Sequence, residues 1–134
     1  IEDTGNSEDS EPLKDAPEGI AWKRWSAAAV ANAQSQGRPI IVDFTAKWCL
    51  TCNTIVKPAL ESDAVQAKVK EVNAVLLLAN WTKRPDIITA ELNKFDRSGV
   101  PLVLVYPKDP AKPVMIFDTV TAGTLVKALD EAVK

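Results

Sequence analysis

Cys49 and Cys52 are the only cysteines in the chain, and they stand three residues apart. Residues at i and i+3 share one face of a helix, so the two sulfurs can come within disulfide-bonding reach. If the helix starts at or just before Cys49, that residue meets unpaired N–H groups and the positive end of the helix dipole. Both lower its thiol pKa and raise the thiolate fraction near neutral pH. Cys52 lies one turn further in and is expected to be more buried and to stay protonated. The asymmetry assigns roles in thiol–disulfide exchange: Cys49 attacks a substrate disulfide and Cys52 resolves the mixed disulfide.

Zinc is the rival for a CxxC pair. It needs four ligands, and the chain has no histidine and no further cysteine. The absence of histidine also excludes Ser–His and Cys–His catalysis within this chain. No metal and no cofactor are expected. The plain alternative is a pair of buried structural cysteines at helical spacing.

Asp43 is the next informative residue. It interrupts the apolar run Ile40-Ile41-Val42-Asp43-Phe44, where a carboxylate is costly without a purpose and where burial raises its pKa. It precedes Cys49 by six residues, so a strand-to-helix turn can bring it beneath Cys52. There it could take the Cys52 proton, through water, as Cys52 attacks. The alternative is an edge strand with Asp43 facing solvent.

Gly99-Val100-Pro101 precedes another apolar run. Pro101 is either an ordinary trans turn proline or a cis proline. In the cis case the backbone of Val100 is left free to pair with an extended substrate peptide. Trp48 is placed to shield the sulfurs or stack on a partner, and Lys47 to favour the thiolate, or both are plain surface. Trp22, Trp25 and Trp81 read as packing residues.

The elements that must position these residues follow from periodicity. Trp25–Gln36 is alanine-rich with helical spacing, and Gly37 suits its C-terminus. Pro39–Thr45 reads as a central strand covered on both faces. A helix is expected from about Cys49 to Leu60, kinked or ended by Pro58, with a continuation or short helix over Ser62–Val72. Val75–Ala79 is a second buried strand, Asp86–Phe95 an amphipathic helix, and Leu102–Tyr106 with Val114–Phe117 an antiparallel hairpin. Thr124–Val133 closes the chain as a helix. The order predicts an α/β fold with a central mixed sheet flanked by helices.

Length and charge bound the rest. The 134 residues suit one domain. The 46% hydrophobic and 25% charged content fits a soluble globular protein. The longest apolar run, Ala74–Ala79, is far short of the roughly 20 residues of a membrane helix. Seven acids against Lys14 give residues 1–19 a charge of −6, so with −2 overall, residues 20–134 carry +4. That is too weak to suggest nucleic acid. Residues 1–19 are expected to be a disordered acidic linker, and 20–134 the folded domain. The start at Ile1 suggests a processed protein or a piece of a longer one, and a monomer is the default.

Taken together, VDFTAKWCLTC and SGVP resemble the active-site strand and cis-proline loop of the thioredoxin superfamily. The chain is similar above all to one branch, the C-terminal thioredoxin-like domain of the DsbD/ScsB transmembrane electron-transfer proteins. The matching blocks are Gly37-Arg-Pro39, Asp43-Phe-Thr-Ala46, Trp48-Cys49, Thr51-Cys52, Trp81-Thr82 and Gly99-Val-Pro-Leu102. The resemblance implies a thioredoxin fold and a cis Pro101. It also implies a periplasmic domain that takes electrons from a membrane partner domain and reduces disulfide-containing proteins, with residues 1–19 as tether. Three departures stand out. Asn80 stands where relatives often carry Asp. Val56 stands where some carry an acid four residues after the second cysteine, so Asp43 would act alone. Leu50-Thr51 replaces the Gly-Pro of thioredoxin. An oxidase or isomerase using the same residues, or a non-enzymatic peptide-binding module, are the competing readings.

Overall fold

The structure, a computed structural model, describes residues 20–134; the expected linker lies outside the described residues. In chain order the elements are β1 (Trp22–Arg24), α1 (Ala27–Ser35) and β2 (Ile40–Thr45). A π-helical turn over Cys52–Val56 then leads into α2 (Lys57–Leu60). There follow α3 (Asp63–Val72), β3 (Val75–Asn80), α4 (Asp86–Lys94), β4 (Leu102–Tyr106), β5 (Met115–Phe117) and α5 (Ala122–Ala132). None of these helices is long and apolar enough to cross a membrane.

The five strands form one mixed sheet in the order β1-β3-β2-β4-β5. β3 pairs parallel with both β1 and β2, while β4 runs antiparallel to β2 and β5. β2 is therefore central, and its apolar run is explained by cover on both sides. Ile41 belongs to a cluster with Val56, Leu60, Val65, Val69 and Leu125, from α2, α3, α5 and the π-turn. Ile40, Val42 and Phe44 join Ala33, Ile88 and Leu92 from α1 and α4 on the opposite face. Each fully buried side chain of this kind stabilises by roughly 1.5–3 kcal/mol.

Local chemistry sets the helix ends. Ser26 and Ser62 cap α1 and α3 by accepting N–H bonds from Ala29 and Val65. Gly37 takes φ +67° just beyond α1, a left-handed conformation that glycine adopts without steric cost.

The fold class is the expected one, with two corrections. β1 adds a strand where none is expected. Three residues, Trp-Lys-Arg, are too short to show alternation, and they become a strand by pairing Trp22 with Leu76 on β3. The helix after the cysteines does not end at Pro58 but continues to Leu60, and it is widened before the proline. The N–H of Lys57 bonds to the carbonyl of Cys52, a π-type bond, and Pro58 has no N–H to offer the next carbonyl. Trp22, Trp25 and Trp81 are buried as packing residues.

Candidate active site

β2 delivers the chain to one end of the sheet. Residues 46–48 turn there, and helical geometry begins at residue 50, so Cys49 stands immediately before a helix that continues to residue 60. Cys49 and Cys52 are joined as a disulfide, with Cα atoms 5.3 Å apart. Cys52 is 1% exposed and Cys49 8%, the expected order. The backbone N–H of Cys52 donates to Cys49 Sγ at 3.2 Å. This amide belongs to the first turn, where N–H groups lack helical partners.

The turn is fastened from two sides. On the β3 side, Thr82 Oγ1 accepts the Lys47 N–H at 2.9 Å, and the Thr82 carbonyl accepts the Trp48 indole N–H at 2.9 Å. Thr82 is itself held by Asn80, whose Oδ1 accepts from both the Thr82 N–H and its hydroxyl. On the helix side, the two N–H groups of the Asn53 side-chain amide are shared among the carbonyls of Cys49 (2.7 Å), Lys47 (3.2 Å) and Ala46 (3.3 Å).

Three expected site residues converge with the turn. Val100 packs on the buried group formed by Ala46, Cys49 and Cys52. The Val100–Pro101 peptide bond is cis. No backbone hydrogen bond of Val100 is found among the described residues. Trp48 is 49% exposed, and its ring stands 5.8 Å from that of buried Trp81. The Arg84 guanidinium lies over both rings, 4.6 Å from Trp48 and 5.3 Å from Trp81. Lys47 enters the site through its backbone N–H.

Asp43 is buried, at 5% exposure, so the solvent-facing edge-strand alternative is excluded. It sits between Leu78 of β3 and Val103 of β4 in register, and Oδ1 has no hydrogen-bond partner among the described residues. Burial is the main reason its pKa rises from 3.8 to about 7; the Glu61 carboxylate pushes the same way and the Lys57 ammonium opposes. Lys57 and Glu61 pair across one helical turn at 4.0 Å. The resemblance left Asp43 to act alone, because Val56 stands where some relatives carry an acid, and Val56 is a core residue. The acid that acts on Asp43 comes instead from the end of α2.

Asn53, Glu61 and Arg84 escape a sequence reading. Asn53 alone gives a signal: an asparagine in the first turns of a helix readily bonds nearby backbone. Among the described residues, no cluster of His, Cys, Asp or Glu could hold a metal ion.

A thioredoxin-like family model matches residues 21–108. The thiol:disulfide interchange protein DsbD of Yersinia pestis is 34% identical over 74 residues, which is 55% of this chain and 12% of that protein. DsbD 1 of Pseudomonas aeruginosa is 26% identical over 107 residues, 78% of this chain and 18% of that protein. The chain thus spans less than a fifth of the length of these curated relatives. Among solved structures, the oxidised C-terminal domain of Neisseria meningitidis DsbD superposes with a TM-score of 0.58 at 21% identity, covering 81% of this chain and 97% of that one. A thioredoxin from Thermus thermophilus gives a TM-score of 0.61 at 20% identity, covering 82% and 84%. At these identities the structural likeness is one of fold.

Proposed function

Because the chain belongs to the thioredoxin-like family, we propose that it is a thiol–disulfide oxidoreductase working through Cys49 and Cys52. The observation that carries this reading is the bonded cysteine pair at the start of a helix, with the Cys52 N–H directed at Cys49 Sγ. A donor at that atom favours its charged form in the reduced protein.

The Cys49 thiolate attacks one sulfur of a substrate disulfide; that S–S bond breaks and the first substrate thiolate leaves. Cys52 then loses its proton to Asp43 and attacks Cys49 Sγ. The mixed disulfide breaks, the Cys49–Cys52 bond forms, and the second substrate thiolate leaves. Two electrons pass to the substrate, and two protons complete its thiols. A carboxyl with a pKa of about 7 is matched to accepting and returning a proton near neutrality. Val100 supplies backbone beside the sulfurs for an extended substrate, Pro101 shapes that loop, and Trp48 covers the exposed side.

The likeness to DsbD supports a finer reading. In it the domain is a periplasmic reductant or electron relay, tethered through residues 1–19. It would be supplied by a membrane electron-donor domain and would act as a monomer on disulfide-containing proteins.

The test is the reduction potential of the Cys49–Cys52 couple in glutathione buffers. A value between about −200 and −270 mV supports the reductant or relay. A value near about −120 mV reverses the electron flow and makes the protein an oxidase. The absence of any reversible couple overturns the redox reading and leaves a peptide-binding module. A Cys52→Ala variant should accumulate a mixed disulfide at Cys49; failure to do so refutes Cys49 as the attacking residue.

A further inference from the structure

Arg84 occupies an unusual position. It takes φ +50°, a left-handed conformation that is sterically costly for a non-glycine residue, and Pro85 follows it, a context that further restricts the backbone. The conformation is held by its N–H, which donates to the Trp81 carbonyl at 2.9 Å, and by Pro85, the residue just before α4. What it achieves is visible at the other end of the side chain. The guanidinium lies over both Trp48 and Trp81, and Trp48 is fixed by its indole bond to Thr82. A positive charge is thereby set beside the residue that precedes Cys49.

No carboxylate forms an ion pair with Arg84 among the described residues, and none pairs with Lys47 or Lys83. All three side chains are exposed. The nearest acid along the chain, Asp86, opens α4 and offsets one of these charges. Stacking a guanidinium on aromatic faces leaves its N–H edge open for a carboxylate.

From this arrangement we infer that Arg84 is a specificity-determining residue, favouring partners whose reactive disulfide is flanked by acidic side chains. The inference rests on the exchange chemistry proposed above. Lys47 and Lys83 widen the attraction, and Arg84 supplies its fixed point. A surface contact of this kind is expected to change the rate about two- to five-fold, and salt should screen it, since the Debye length falls to about 3 Å at 1 M.

The experiment uses the reduced full chain and follows its oxidation by tryptophan fluorescence. Two disulfide-bonded peptides are compared, identical except that the residues flanking the cystine are Glu in one and Lys in the other. Uncharged bis(2-hydroxyethyl) disulfide reports on exchange itself. The Glu peptide should react several-fold faster at low salt, with the ratio approaching one in 1 M NaCl. The ratio should shrink most in Arg84→Gln and less in Arg84→Lys, which keeps the charge but loses the stacked, planar N–H edge. Equal rates for the two peptides in the unmodified protein would overturn the inference, as would an undiminished ratio in Arg84→Gln. No reaction with the uncharged disulfide would instead overturn the exchange reading, and the inference with it.

Discussion

Replacing Asp43 by Asn should stabilise the protein at alkaline pH and leave it almost unchanged in acid. The carboxyl of Asp43 has its pKa raised from 3.8 to about 7, first by burial and then by Glu61. The folded state thus holds the proton more tightly than the unfolded chain. Below pH 3.8 both states are protonated and the full stability is present. Between 3.8 and about 7 the unfolded chain has released its proton and the folded protein has not, so stability falls as pH rises. Above about 7 both are ionised, and the loss stays constant. At about 1.4 kcal/mol per pH unit, the interval corresponds to about 4 kcal/mol at the plateau. Asparagine has nearly the same shape and no charge, so the variant escapes this loss. With a urea dependence of roughly 2 kcal/mol per molar, the denaturation midpoint of the oxidised variant should exceed that of the parent by roughly 2 M at pH 8.5. The two midpoints should converge near pH 3.5. Equal midpoints at pH 8.5, or a difference that does not vary with pH, would refute the placement of an uncompensated carboxylate in this core.

The same variant should slow release of the second substrate thiol by about 100-fold or more near pH 7, as loss of a general base does; acid-quenched trapping of the mixed disulfide would show it. Leu104→Ala should cost about 2–5 kcal/mol, because Leu104 is fully buried on β4; an unchanged denaturation midpoint would contradict this. Gly37→Ala should cost about 1–2 kcal/mol for conformational reasons alone, since a Cβ there meets nothing within 4 Å while φ is +67°. Asn53→Ala should accelerate amide hydrogen exchange at Cys49, and equal exchange rates would show that the Asn53 contacts do not hold the turn.

Asp43 shows why much of this site was legible in the sequence. One charged letter inside Ile-Ile-Val-Asp-Phe is enough to mark a buried titrating group, because strand periodicity and the cost of burying charge are both local facts. The cysteine spacing is equally local, and so is the turn before Pro101. β1 was not legible: its three residues acquire strand geometry only from β3, more than fifty positions away in register. The widened turn at Cys52–Val56 was half legible, since Pro58 announces a disturbance but not which hydrogen bonds absorb it. Arg84 and Thr82 lay beyond reach for a different reason. Their roles depend on how the loop after β3 folds back across residues 47 and 48, and nothing in the letters Trp-Thr-Lys-Arg-Pro fixes that path.

The fastening of residues 46–49 has a consequence for the kind of partner the protein can serve. With Thr82 holding one side of the turn and Asn53 bonded to its carbonyls, remoulding this surface around different shapes means breaking those bonds. Adaptation must come from the other molecule, which also carries the ordering entropy of docking. A disulfide locked inside a rigid fold would be a poor match for so unyielding a receptor. One borne on a pliable loop, a chain end or an incompletely folded protein would be a good one, and competition between such forms of the same protein would be decided by their suppleness before any sulfur is touched.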